Sequence, residues 1–107
     1  MKKKYLEFQK EARALFFDLW ENRAHRVCEI QSKGCKGNWL LTLHHIYRRS
    51  DPKNCENKAE KCLVVCPECG NHANFHTGIK GKDGKAMPID EQLALAEKLN
   101  KQWGRQC

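Results

Sequence analysis

Leu63-Val64-Val65-Cys66-Pro67-Glu68-Cys69 is a short apolar run that ends in a Cys-x-x-Cys knuckle, and its reading decides the fold. The apolar run is a strand candidate, and the knuckle can turn two sulfurs toward a single ion. Upstream, Trp39-Leu40-Leu41-Thr42-Leu43 is a second strand candidate that leads directly into a histidine doublet, His44-His45, and Ile46. A polar loop, residues 48–61, separates the two and contains Asp51-Pro52 and Asn54. Soft and imidazole ligands therefore gather at the ends of both strand candidates.

The knuckle needs an opposing half if it is to close a tetrahedral site. Cys28 and Cys35, six residues apart with Gly34 just before Cys35, supply one. Four thiolates suit structural zinc, and such a site would tie the region around residue 28 to the second strand. Two other readings stand beside it. Cys55 and Cys62 can replace Cys28 and Cys35 as ligands, or the wider pair can be buried thiols acting as small hydrophobes. Cys62 adjoins an apolar run and is expected to pack; Cys107, the last residue, is expected to be an exposed thiol.

The chain has 107 residues, 40% of them hydrophobic and 31% charged, with seven cysteines and five histidines. A core this thin in a single small domain, here residues 1–107, calls for a staple. The start, MKKKYLEFQ, has a positive region but no apolar run behind it. Nothing approaches the ~18 apolar residues that span a bilayer. No membrane partner is expected; the expected location is cytoplasmic, where thiols stay reduced and clustered cysteines favour zinc over disulfides. The formal charge of +7 points to a polyanion, with nucleic acid leading and plain solubility as the alternative.

Two helices are expected to flank the core, which spans about residues 27–78. Residues 3–26 carry Leu6, Phe8, Ala12, Leu15, Phe16, Leu19 and Trp20 at roughly helical spacing. This reads as a packing helix whose basic ends, Lys2, Lys3, Lys4, Arg23 and Arg26, can also touch phosphates. Residues 91–103 form the last helix, with Asp90 as N-cap and Leu93, Ala96, Leu99 and Trp103 as its buried stripe. Between them, Gly78, Gly81 and Gly84 alternate with Lys80, Lys82 and Lys85 in a flexible basic loop, where Lys80 and Lys82 are candidates for nucleic-acid contact. The expected class is α+β.

A helix starting near Asn71 or Asn74 is expected to carry His72 and His76, which share a face at i and i+4 and can reach one ion. Neighbouring side chains on a strand diverge, so one histidine of the His44-His45 doublet can turn to metal while the other stays available as a base. Arg48 and Arg49 follow the doublet and suit bidentate phosphate binding, or form a solvated basic turn.

Taken together, the cysteine pair, LHHI, the variable loop, the apolar strand, CPEC and the later histidines resemble the HNH endonucleases over about Cys28 to His76. The cysteine-bearing half is similar to the zinc-stapled members, and the HxxxH to the helix of colicin-type nucleases. The resemblance implies a small ββα-metal core with a structural zinc on Cys28, Cys35, Cys66 and Cys69. It also implies a catalytic divalent ion (Mg²⁺, Mn²⁺, Ni²⁺ or Zn²⁺) on His44, His72 and His76, with His45 as general base; Arg48, by its own chemistry, is the candidate for the phosphate. Two positions depart from the family. Lys61 stands where an Asn normally braces the base, so that role passes to Asn54 or Asn57 or is missing. Gly70 stands where many relatives have His.

The expected activity is hydrolysis of DNA phosphodiester bonds by water that His45 deprotonates, with little sequence preference and one nick per single site. Two other readings are a non-catalytic zinc module that binds DNA or protein, and a recombination or junction-processing factor of the same fold. A stand-alone HNH chain is also compatible, by family analogy, with phage or mobile-element protein partners.

Overall fold

The computed structural model describes residues 2–31, 35, 37–47, 51, 53–70, 79, 81 and 85–103, with side chains from residue 6 onward. The chain is a small α+β structure: helix α1 (Lys2–Asn22), strand β1 (Thr42–His45), a 3-10 turn (Ala59–Lys61), strand β2 (Cys62–Val65) and helix α2 (Ile89–Trp103). The strands pair antiparallel in the register Thr42↔Val65, Leu43↔Val64, His44↔Leu63 and His45↔Cys62. Among the described residues no helix is long and apolar enough to cross a membrane.

Every residue of β2 is buried, which a two-stranded sheet achieves only when both its faces are covered. Alternation along the strand divides the core accordingly. Leu63 and Val65 join Cys28, Ile30, Ile46, Ile79 and Ala96, with Leu93, Leu95 and Leu99 of α2 packed against them. Cys62 and Val64 join Leu19, Ala24 and Ala59, with Leu15, Phe16 and Trp20 of α1 packed against them. The hairpin is thus the middle layer between α1 and α2.

Helix α1 ends four residues earlier than its hydrophobic spacing suggests. The amides of Arg23 and Ala24 both bond the Leu19 carbonyl at 2.9 and 2.7 Å, and that of Arg26 bonds Trp20 O at 2.7 Å. His25 and Arg26 then take left-handed φ values of 53° and 67°, which reverses the chain without a glycine. The turn brings residues 28–30 alongside β2. There Glu29 N donates to Val64 O at 2.8 Å, and Val64 N donates back to the Glu29 carboxylate at 2.7 Å.

Arg23 locks this arrangement. It is 4% exposed, and its guanidinium bonds both oxygens of Glu29 at 2.7 Å. Its remaining N–H groups reach Ala59 O at 2.7 Å, Asn100 Oδ1 at 2.8 Å and Cys62 O at 2.8 Å. All five donors are therefore used, which is the condition for burying an arginine. Of the two readings of this helix end, packing or phosphate contact, Arg23 takes the first, because burial and a full set of acceptors remove it from solvent. Arg26 is paired as well, bonding Glu21 at 2.8 and 2.9 Å on the surface.

Two boundaries also shift. The first strand covers Thr42–His45 rather than residues 39–43, since Trp39 and Leu40 are exposed and Leu40 has φ 47°. The last helix starts at Ile89, which puts Asp90 inside the first turn instead of at the cap. There its carboxylate still favours the positive end of the helix dipole.

Removing the guanidinium strands the Glu29 carboxylate in the core. Arg23→Ala is expected to lose about 3–5 kcal/mol, the usual cost of breaking one side of a buried pair. Urea denaturation measures it; a loss below about 1 kcal/mol, as for a surface pair, would show that the lock is dispensable.

Candidate metal centre and histidine site

The knuckle follows β2 without a break. Gly70 N donates to Cys66 O at 2.9 Å and closes the turn that aims Cys66 and Cys69 the same way. A Cβ at Gly70 would stand 2.7 Å from Val65 Cγ2, so the turn leaves no room for a side chain there. The turn thus suits the glycine found there. On the opposing side, Cys28 N donates to Gly37 O at 2.8 Å, while Gly37 N lies 3.4 Å from Cys35 Sγ. Gly37 has φ 65°, the left-handed value that glycine adopts without cost and that folds this segment back.

The Sγ atoms of Cys28, Cys35, Cys66 and Cys69 lie within 4.8 Å of one another, and those of Cys35 and Cys66 are 3.7 Å apart. Tetrahedral bonds of about 2.3 Å place sulfurs about 3.8 Å apart, so the cluster has the dimensions of a four-thiolate metal site. Burial raises the Cys28 and Cys35 thiols above their ordinary range. A bound cation is what makes such buried sulfurs thiolates, and binding it would release their protons. Among the described residues this is the one group of three or more ligand-type side chains that could hold an ion.

Cys55 and Cys62 lie apart from the cluster, which settles the rival choice of sulfurs. Cys62 packs beside Val64, its Sγ 3.7 Å from Glu56 O, and burial pushes its thiol up to about 12. It is a core residue, as its apolar neighbours suggested.

The histidines of the doublet leave β1 on opposite faces. His44, 3% exposed, faces α2, and its Nε2 lies 2.8 Å from Gln92 Oε1. Gln92 is fully buried and donates from its own Nε2 to Met87 O at 2.8 Å. That bond orients the amide with its oxygen toward the ring, so His44 carries its proton on Nε2 and a lone pair on Nδ1.

His45 faces α1 and is half-buried. Its Nε2 lies 2.7 Å from Asn57 Oδ1, while Asn57 Nδ2 donates to Phe8 O at 2.9 Å. The same logic fixes this tautomer: His45 donates from Nε2 and keeps Nδ1 basic. The Phe8 ring, its centroid 5.4 Å from that of His45, holds the imidazole from the side. Of the two asparagines Asn54 and Asn57, it is Asn57 that hydrogen-bonds His45. Asn54 is a turn residue, its side chain on Asp51 at 3.0 Å. Lys61 instead pairs with Glu56 at 2.5 Å and stands 5.7 Å from the Tyr47 ring.

The strand register separates the two chemistries. His45 pairs with Cys62, and Cys66 lies four residues farther along, roughly 13 Å at about 3.3 Å per residue. The sulfurs and His45 occupy opposite ends of the hairpin and do not form a shared centre. His72, His76, Arg48, Arg49, Lys80, Lys82 and Cys107 lie outside the described residues. Gln92 escaped sequence reading because an amide within a helical stripe has no ligand-like spacing.

Cys66→Ser is expected to lose the cluster's metal ion, whereas Cys62→Ser retains it. Metal analysis of the purified proteins is the check, and equal metal content in the two variants would overturn the assignment.

Comparison of the chain with protein-family models, curated proteins and solved structures returns no match.

Proposed function

We propose that the chain is a metal-dependent endonuclease of the HNH type that nicks DNA, with zinc on Cys28, Cys35, Cys66 and Cys69 and His45 as general base. The observation that carries this reading is the 2.7 Å bond between His45 Nε2 and Asn57 Oδ1. It holds one ring nitrogen protonated and leaves the other poised to take a proton, the arrangement that a water-activating histidine needs. A buried four-sulfur set suits zinc by softness and tetrahedral geometry, and its closure by four protein ligands suits a structural role.

In the proposed reaction His45 Nδ1 removes a proton from water, and the water oxygen attacks phosphorus in line with the departing 3′ oxygen. Asn57 keeps the imidazole in its working tautomer and stabilises the imidazolium that forms. Phe8 restricts rotation of the ring. His44, through Nδ1, with His72 and His76, would hold a second divalent ion (Mg²⁺, Mn²⁺, Ni²⁺ or Zn²⁺). Such an ion, when bound, supplies charge stabilisation at the scissile phosphate and the leaving oxygen. Arg48 and Arg49 would position the phosphate, and Lys80 and Lys82 would add sequence-independent attraction to the backbone.

One observation favours a second reading, a zinc module that binds DNA or protein without cutting. His44 is 3% exposed and tied to Gln92, the environment of a core histidine that holds a helix on a sheet. Incubating supercoiled plasmid with Mg²⁺, Mn²⁺ or Ni²⁺ separates the two. The nuclease reading expects nicking by the parent, a loss of roughly 10²–10⁴-fold in His45→Ala, and a smaller loss in Asn57→Ala with zinc retained. No nicking by the parent on any DNA, branched or linear, would leave the binding module.

A further inference from the structure

We propose that the cleft between α1 and β1 holds an unpaired nucleotide, so that single-stranded or frayed DNA is preferred over closed duplex. The cleft has a volume of about 460 Å³. That falls within the roughly 300–1,000 Å³ of small-ligand sites, and the cleft is a wide-mouthed groove in which a single base can lie against the aromatic wall. Phe8, Phe16 and Leu43 form apolar walls, while Gln9, Arg13 and His45 supply polar groups. A base offers both an aromatic face and a hydrogen-bonding edge, and proteins hold unpaired bases by combining aromatic platforms with cations along the backbone.

Charge favours the same occupant. Arg13 is exposed at the rim, and the adjoining hollow on α1 adds Lys10 against a single carboxylate, Glu7, leaving the rim net positive. The whole chain carries +7. Because His45 lines the cleft, a nucleotide seated there brings its phosphodiester bond to the proposed base. The consequence for catalysis rests on the nuclease reading, whereas the binding does not.

The test is fluorescence anisotropy of a short labelled oligothymidylate and a closed hairpin duplex, using zinc-loaded protein with no other divalent ion. The single strand should bind roughly tenfold tighter than the duplex. Ala12→Trp, which fills the cleft, should weaken strand binding roughly tenfold and leave duplex binding unchanged. Arg13→Glu should weaken strand binding and flatten its salt dependence. Lys98→Glu, on the exposed face of α2, should change neither.

Equal or tighter binding of the duplex, or parent-like strand binding by Ala12→Trp with a native circular dichroism spectrum, would overturn the proposal. If Ala12→Trp does not fold, the exposed Arg13→Glu decides, and unchanged strand binding overturns it. A protein that binds the strand but nicks nothing removes the nuclease reading and keeps the cleft. One that nicks plasmid without any strand preference in binding does the reverse.

Discussion

A single buried guanidinium holds the layers together. Arg23 comes from the turn that ends α1, Glu29 from the segment beside β2, Ala59 from the 3-10 turn before β2, Cys62 from the start of β2, and Asn100 from α2. Five donors meeting five protein acceptors allows the charge to be buried; any missing acceptor would leave a donor desolvated in the core. The geometry is also restrictive. The fork fits only if α1 stops at Asn22 and the chain reverses through two left-handed residues. What looks like an irregular helix end is thus the condition for closing the core.

That closure determines where the chemistry stands. With β2 buried on both faces, the hairpin has a helix on each side, and the diverging histidines of β1 meet different partners. His44 meets an amide on α2, His45 an amide from the loop ahead of β2 and a phenyl ring on α1. Each imidazole donates from Nε2 to an amide whose own N–H is fixed by a backbone carbonyl. The tautomers are set by the packing of neighbouring elements, not by the strand that carries them. The four sulfurs close the far end of the same hairpin, where a metal would fasten the Cys28–Gly37 segment to β2 in a chain with little apolar area to spare.

Legibility in the sequence follows the range of the interaction. Cys66-Pro67-Glu68-Cys69 can be recognised because one turn brings both sulfurs together, so local geometry suffices. The outward divergence of His44 and His45 is equally local, a consequence of the pleat. The choice of Cys28 and Cys35 over Cys55 and Cys62 was an inference from a wide spacing, and only the return of the chain along β2 decided it. Asn57 was one of two candidates for the brace. The loop conformation separates them, turning Asn54 onto Asp51 and Asn57 onto His45. Hydrophobic spacing puts the end of α1 at residue 26 rather than Asn22, because the periodicity continues past the point where the backbone turns.

The sequence by itself determined the element types, the knuckle and the doublet, since these rest on period, turn chemistry and ligand spacing over a few residues. The tertiary structure decided which sulfurs assemble, which nitrogen of each histidine keeps its proton, and that an arginine at a helix end belongs to the core. Those outcomes depend on contacts between residues 6 to 77 positions apart. Such contacts exist only once α1, the hairpin and α2 have been packed, and no local pattern in the chain encodes them one at a time.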